Sequence, residues 1–519
     1  MSRRPFDVRV ADRVERGGRV SRVLAQHLSH VPWVMTSVFF FGVGYLSVRN
    51  LPVLGSTLRA SNQVIATDNL LAAIDEPFAA LLEPEPGFER PALPPETASV
   101  LEGSIPVADT DLEGGASALA AVDAPWFLRT PPSLSALRLP PLSADALQVR
   151  QGSGPRARLE RFGGQGTEES VEAGLDWLRR HQTPGRGFWG SADFSKQCRT
   201  NLCGGPGWPL HDAGVTGLAL LAFVGAGHTH QGGKHQPVVQ AGLGWLRGLQ
   251  DADGCFGPRN GPHSAWVHAI CTMAVAEACA LTGSPLLRTS LERAVAFIER
   301  TQRRAPDGGA LLGWQRTGAG DGPGDASVTS WMTMALHAAG TAGVPVGRGA
   351  VQGARAFLES VTDPATGRIG GQPPVRAPGR GQAWPPERSE SLTALGLYAK
   401  VLLDQLLGAD STQDPSIARG ARLLRARLPD WDESRGGIDM YYWHSATLAA
   451  FQVGGDLWQD WNAALKEAVV RHQRTDGDER GSWDPVDSWG AEGGRVYATA
   501  LLTLSLEVYY RYEKAHGSR

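Results

Sequence analysis

Six times between residues 168 and 512 a one-sided amphipathic helix is followed by a Gly-rich turn and then by a helix that is apolar or small on every side. This restricts the fold more than any other feature. A helix apolar all round must be enclosed, and a one-sided helix is suited to enclosing it. The clearest copy comes last. An outer helix from Trp461 to His472 ends in Gln473, the turn Gly481-Ser-Trp-Asp-Pro485 follows, and Gly493-Gly-Arg-Val-Tyr497 opens an apolar helix running to Tyr512. In the first copy Val171, Leu175 and Leu178 share one face of the outer helix, and Glu172, Asp176 and Arg179 share the other. His181-Gln182, the turn Gly187-Phe-Trp189, an insertion and the helix Ala213 to Val224 complete it.

The second copy runs from Val239 to Leu281, the third from Leu291 to Leu336, the fourth from Val351 to Leu407 and the fifth from Ile417 to Val453. Gly217, Ala219 and Ala222, and likewise Ala274, Ala276 and Ala278, permit close approach of inner-helix backbones. A closed ring, with an inner barrel inside an outer one, satisfies both kinds of helix.

The rest of the chain is of another kind. Residues 1–30 carry seven Arg, and residues 31–48 carry no charge. As a helix, that apolar run is roughly 27 Å long, enough to cross a hydrocarbon core. Trp33 and Tyr45 stand near its ends, where interfacial aromatics are favoured. The expected order is a basic cytoplasmic tail over 1–30, a transmembrane anchor over 31–50, a largely disordered Pro-rich linker over 51–160 and the repeat domain over 161–519, outside the cytoplasm. A cleaved signal peptide or a buried helix is the alternative to the anchor. Trp126-Phe-Leu128 is a candidate docking segment within the linker. Charge is nearly balanced, with 50 Lys and Arg against 53 Asp and Glu, which gives no footprint for nucleic acid.

From about residue 168 to 512 the chain resembles the terpenoid cyclase and protein prenyltransferase superfamily, and more narrowly the bacterial prenyltransferase/squalene oxidase repeat proteins. The Gln-x-x-x-Gly-x-Trp motif of that superfamily is matched at Gln182…Gly187-Phe-Trp189 and more loosely at Gln473…Gly481-Ser-Trp483. Gly214 to His228, Asp439-Met-Tyr-Tyr-Trp443 and Gly481 to Pro485 carry the narrower likeness. The resemblance implies an all-α fold, an α6/α6 toroid, and does not carry a reaction with it.

The family's catalytic signatures are missing. No Asp-x-Asp-Asp acid stands on an inner helix; Asp109-Thr-Asp111 falls in the linker, and Asp325, with Asp321 before it, is the nearest positional match. One Asp before an apolar helix also reads as an N-cap. Asp253-Gly-Cys255 has the Asp-x-Cys spacing of a prenyltransferase zinc site but reads as a turn, and no Gly-Cys-Gly-Glu-Gln thioester sequence occurs.

Cys198-x4-Cys203 followed by His211 is a candidate zinc set. The same residues fit a local disulfide, or unpaired thiols with Asp212 as a cap. His228, His230 and His235 form a second His group, read as a solvated Gly-rich turn.

The starts of the inner helices are expected to ring one mouth of the barrel. Asp325, Asp439 and Asp484 are the candidate acids there, and a pair such as Asp439 with Asp484 or Asp487 would suit general acid–base work. His263, Trp266, Trp331, Tyr441, Tyr442, Trp483, Asp487, Trp489, Glu492, Arg495 and Tyr497 are the candidate ligand-binding residues. The alternative for each is architectural: aromatics packing between hairpins, Asp residues capping, Arg495 in an ion pair. The expected partner is a hydrophobic, isoprenoid-type ligand in the toroid. A peptide- or polysaccharide-binding scaffold, and a polysaccharide lyase or hydrolase, are the alternatives.

Overall fold

The computed structural model describes residues 136–139, 149–150, 154–259, 261, 263–305, 312–316, 324–370, 390–435 and 437–511. The expected tail and anchor over 1–50, and Trp126 to Leu128, lie outside these residues. The described chain is predominantly helical. A short strand β1 (Ala136–Leu137) pairs antiparallel with β2 (Val346–Gly347). Helix α1 (Gly154–Phe162) precedes the repeats. The outer helices are α2 (Glu168–His181), α4 (Gln236–Leu249), α6 (Pro285–Thr301), α8 (Arg348–Ser360), α10 (Pro415–Arg425) and α12 (Gly455–Val470). The inner helices are α3 (Asp212–Gly225), α5 (Ser264–Thr282), α7 (Ala326–Thr341), α9 (Ser391–Leu407), α11 (Met440–Val453) and α13 (Gly490–Leu506), with α14 (Val508–Arg511) after the last.

Each inner helix packs on the next, from α3 through α5, α7, α9 and α11 to α13, and α13 packs back on α3. The run of inner helices therefore closes on itself. Close approach needs small residues where helices cross. A Cβ on Gly217 of α3 would stand 2.8 Å from Ile270 of α5. By length and composition α5 alone among the described helices could cross a bilayer, but it is enclosed in this core.

The turns explain the repeated Gln, Gly and Trp. Gln182, at the end of α2, donates from Nε2 to the Gly187 carbonyl of its own turn and to the Val238 carbonyl of the next outer helix. Gln250 does the same to Gly254 and Ser290, and Gln302 to Leu312 and Ala350. Gln473 bonds Gly481 and then Ser170 of α2, so the same device joins the last repeat to the first. Trp189, Trp314 and Trp483 each donate Nε1 to a carbonyl of the preceding outer helix, at 2.7–2.8 Å. Gly481 has φ 93° and faces the Ala173 carbonyl, where a Cβ has no room. The fourth and fifth turns lack the Gln, which is why those copies are weaker in sequence.

The end of the expected linker is structured. Leu137 and Leu159 are buried, and α1 packs against α14. These apolar side chains, with Pro140 and Pro141 between them, find a surface made by residues hundreds of positions away.

Candidate functional site

His211 and His263, just before the first turns of α3 and α5, meet Glu492 in the first turn of α13. Glu492 Oε2 lies 3.6 Å from His211 Nε2 and 3.3 Å from His263 Nε2. Trp208 stacks beside His211, held by its backbone N–H on the Glu492 carbonyl. Burial lowers the His211 pKa, and His263 adds to this. Two imidazoles and a carboxylate at this separation are a set that could hold a metal ion.

Beside them an aromatic wall is tied by hydrogen bonds. Trp266 Nε1 donates to Ser327 Oγ at 2.8 Å, Ser327 Oγ and the Tyr441 hydroxyl are 3.0 Å apart, and Trp331 Nε1 donates to the Tyr441 hydroxyl at 2.8 Å. Trp489 packs against Tyr441 with ring centroids 6.0 Å apart and is itself 40% exposed. Trp208, Leu210 and Val486 are also exposed near these helix starts and form an apolar rim.

Asp487 is the acid this neighbourhood singles out. It is 8% exposed, and its Oδ2 accepts from the Met440 backbone N–H and the Tyr497 hydroxyl. Its Oδ1 is buried without a hydrogen-bond partner. Burial, reinforced by the Asp439 carboxylate, raises its pKa to about 7. A carboxyl that titrates near neutrality can give or take a proton there.

The other expected site residues separate into two groups. Asp325 accepts the backbone N–H groups of Ser327 and Val328 and pairs with Arg316 at 2.8 Å, so it caps α7. Asp439 accepts the Tyr442 N–H and caps α11. Both keep their place near the mouth while serving as caps. Four residues point into the architecture instead. Asp484 forms an ion pair with Arg495, and Arg495 also holds the Gly204 carbonyl and Ser482 Oγ. Trp483 is a turn residue, and Tyr442 faces outward to the Arg427 carbonyl and Trp461. The acid pair is thus Asp439 with Asp487, and Asp484 does not join it.

The expected grouping of His211 with Cys198 and Cys203 is corrected. The thiols face His181, and His211 faces His263 and Glu492. The helical turn Pro209–His211 carries His211 away from the cysteine loop. His228 and His235 pack edge to face in the turn after α3, where His235 is buried, not solvated. Ser327 and Trp208 went unrecognised in the sequence because a Ser and a Trp in these positions carry no motif.

No family model matches the sequence, and no curated protein matches it. Among solved structures, a variant of the type II terpene cyclase MstE from Scytonema, in complex with geranylgeranyl dihydroxybenzoate, is 14% identical over 68% of this chain and 99% of its own, with a TM-score of 0.43. An inactive variant of the α-1,6-mannanase GH76A of Salegentibacter sp. HEL1_6, in complex with α-1,6-mannotriose, is 9% identical over 66% and 99%, with a TM-score of 0.46. A protein from Actinoplanes is 17% identical over 66% and 98%, with a TM-score of 0.40. The chain is similar to these three proteins in solved structure and to none of them closely in sequence.

Proposed function

We propose that the chain is a membrane-anchored α6/α6 toroid that binds a hydrophobic, isoprenoid-type ligand at the mouth formed by the inner-helix starts. The observation that carries this is the tied aromatic wall of Trp266, Trp331 and Tyr441, continued outward by exposed Trp489. Rings fixed by hydrogen bonds offer apolar and cation-stabilising faces at little ordering cost. An apolar rim suits entry of a water-insoluble molecule, and tethering through residues 31–50 would keep the mouth near a lipid-borne one.

Asp487 supplies the chemistry in this reading, as a proton donor or acceptor beside the wall. The experiment is extraction and mass spectrometry of lipid retained by the full chain in mild detergent. Tyr441→Ala should lose the lipid, whereas Asp487→Asn should retain it and abolish its conversion. A wild-type chain that retains no lipid and leaves added polyprenyl substrates unbound would defeat the proposal.

One observation favours a second reading, acid–base cleavage of a polysaccharide. Asp439 and Asp487 are neighbouring carboxyls of which one titrates near 7, and unequal carboxyl pairs are how glycosidases divide acid from base or nucleophile. Release of reducing sugar, lost in both Asp439→Asn and Asp487→Asn, would select it.

A further inference from the structure

We infer that His181, Cys198 and Cys203 bind a zinc ion at the join between the first and last repeats. Among the described residues these three ligand groups converge away from the mouth. The two Sγ atoms are 3.1 Å apart, and they lie 3.5 and 3.4 Å from His181 Nε2. Zinc bonds of about 2.3 Å to sulfur and 2.0–2.1 Å to nitrogen require tetrahedral edges of roughly 3.6–3.8 Å. The two sulfur–nitrogen separations are within about 0.2 Å of this, and the two sulfurs need to part by about 0.7 Å to receive the ion.

The surroundings are those of a metal ligand set. His181 Nδ1 lies 2.8 Å from the Trp177 carbonyl, which can only accept, so the ring proton sits on Nδ1. Nε2 then presents its lone pair to the two sulfurs, the second-shell arrangement that orients metal-bound imidazole. Trp177 stacks on the ring at 4.1 Å and fixes its plane. The Cys203 backbone N–H donates to Cys198 Sγ at 3.2 Å and holds that sulfur toward the ring. His181 and Cys203 are almost fully buried, while Cys198 is half-buried. That leaves the fourth position for water from the Cys198 side.

The location gives the ion a task. The Cys loop is held by the last turn: Asp478 accepts the N–H groups of Arg199, Thr200 and Asn201, and Glu479 accepts that of Gly204. Arg495 of α13 binds the Gly204 carbonyl. A zinc ion would anchor this loop to α2 on the other side and so fasten the first outer helix to the sixth repeat. It differs from a disulfide, which would join the two thiols at about 2.05 Å and leave His181 Nε2 without a partner.

The test uses the full chain purified under reducing conditions and supplied with Zn²⁺ or Co²⁺ alone. Expected are about one zinc per chain and, with Co²⁺, the near-ultraviolet thiolate charge-transfer band. Zinc should shield Cys198 from alkylation, and a chelator should restore its reactivity and lower the melting temperature. Cys203→Ser and His181→Asn should each lose the metal, while Cys255→Ser, at a buried thiol elsewhere, keeps it. Should the variants not fold, the alkylation arm on the wild type decides. No bound zinc, no thiolate band, or a Cys198–Cys203 disulfide in the freshly purified chain would overturn the inference.

Discussion

The two ends of the inner-helix ring handle charge differently, one through buried ion pairs and the other through acids and imidazoles near the surface. At the C-terminal ends, Glu277 is clasped by Arg150 at 3.2 Å and by Arg511 at 2.6 Å, and Arg150 also donates to the Arg511 carbonyl at 2.6 Å. Glu507 lies beside them against Gly225, and burial raises its pKa well above the usual carboxylate range. Glu277 is thus paired twice, whereas both Glu507 carboxyl oxygens are buried without a hydrogen-bond partner, and Arg150 and Tyr510 line a pocket beside them. At the N-terminal ends the polar groups are only partly used: His211 Nε2 and Asp487 Oδ1 have no hydrogen-bond partner, and His263, Glu492 and Trp489 reach the surface. The C-terminal end ties its helices together through buried ion pairs, and the N-terminal end presents groups that a ligand can engage.

Substitutions that act on one end only would break or sharpen this contrast. The largest effect is expected from Arg511→Ala, which strips Glu277 of one of its two guanidinium partners in a buried site. A loss of up to roughly 3–5 kcal/mol in denaturant-measured stability is expected, because the buried Glu277 charge is left with Arg150 alone. A loss below about 1 kcal/mol would mean that the end is wet.

Asp487 comes next and acts through pH. Its folded pKa, about 7, stands above the ordinary 3.8, so between those values the folded state binds the proton and the unfolded state does not. Stability from this group is full below about pH 4 and declines as pH rises to about 7, by about 1.4 kcal/mol per pH unit at most. Asp487→Asn should flatten that decline in melting curves across the window. An unchanged pH profile would remove Asp487 as the proton-holding group.

Asp325→Ala is expected to cost about 1–2 kcal/mol through the lost cap and to leave ligand retention unchanged. Loss of retention without loss of stability would return Asp325 to the site. The smallest effect on stability belongs to Trp489→Ala, within about 0.5 kcal/mol for an exposed side chain, although it should weaken lipid retention.

The outer–turn–inner order was legible because periodicity and the Gln, Gly and Trp of the turns are local signals, each with a single physical task. Gln182 and Gln473 make the same pair of bonds, so two weakly similar stretches point to one device. The site was legible only in part. That the inner-helix starts converge follows from the fold, and His263, Trp266, Tyr441, Asp487 and Trp489 were found that way. Which side chain turns inward depends on packing that no motif records. Arg495 and Asp484 satisfy each other, whereas Asp487, three residues from Asp484, is buried beside Asp439. His181 was hidden for a similar reason: it sits within an outer helix, and its partners arrive through an insertion that only the closed ring brings back to it.

The most direct measurement is mass spectrometry of lipid retained by the full chain, wild type against Tyr441→Ala, Trp489→Ala and Arg511→Lys. Binding at the open end requires retained hydrophobic ligand in the wild type, its loss in the two mouth variants, and its persistence in the Arg511 variant. Ligand equally retained in all four chains, or in none, would contradict a hydrophobic site at the mouth.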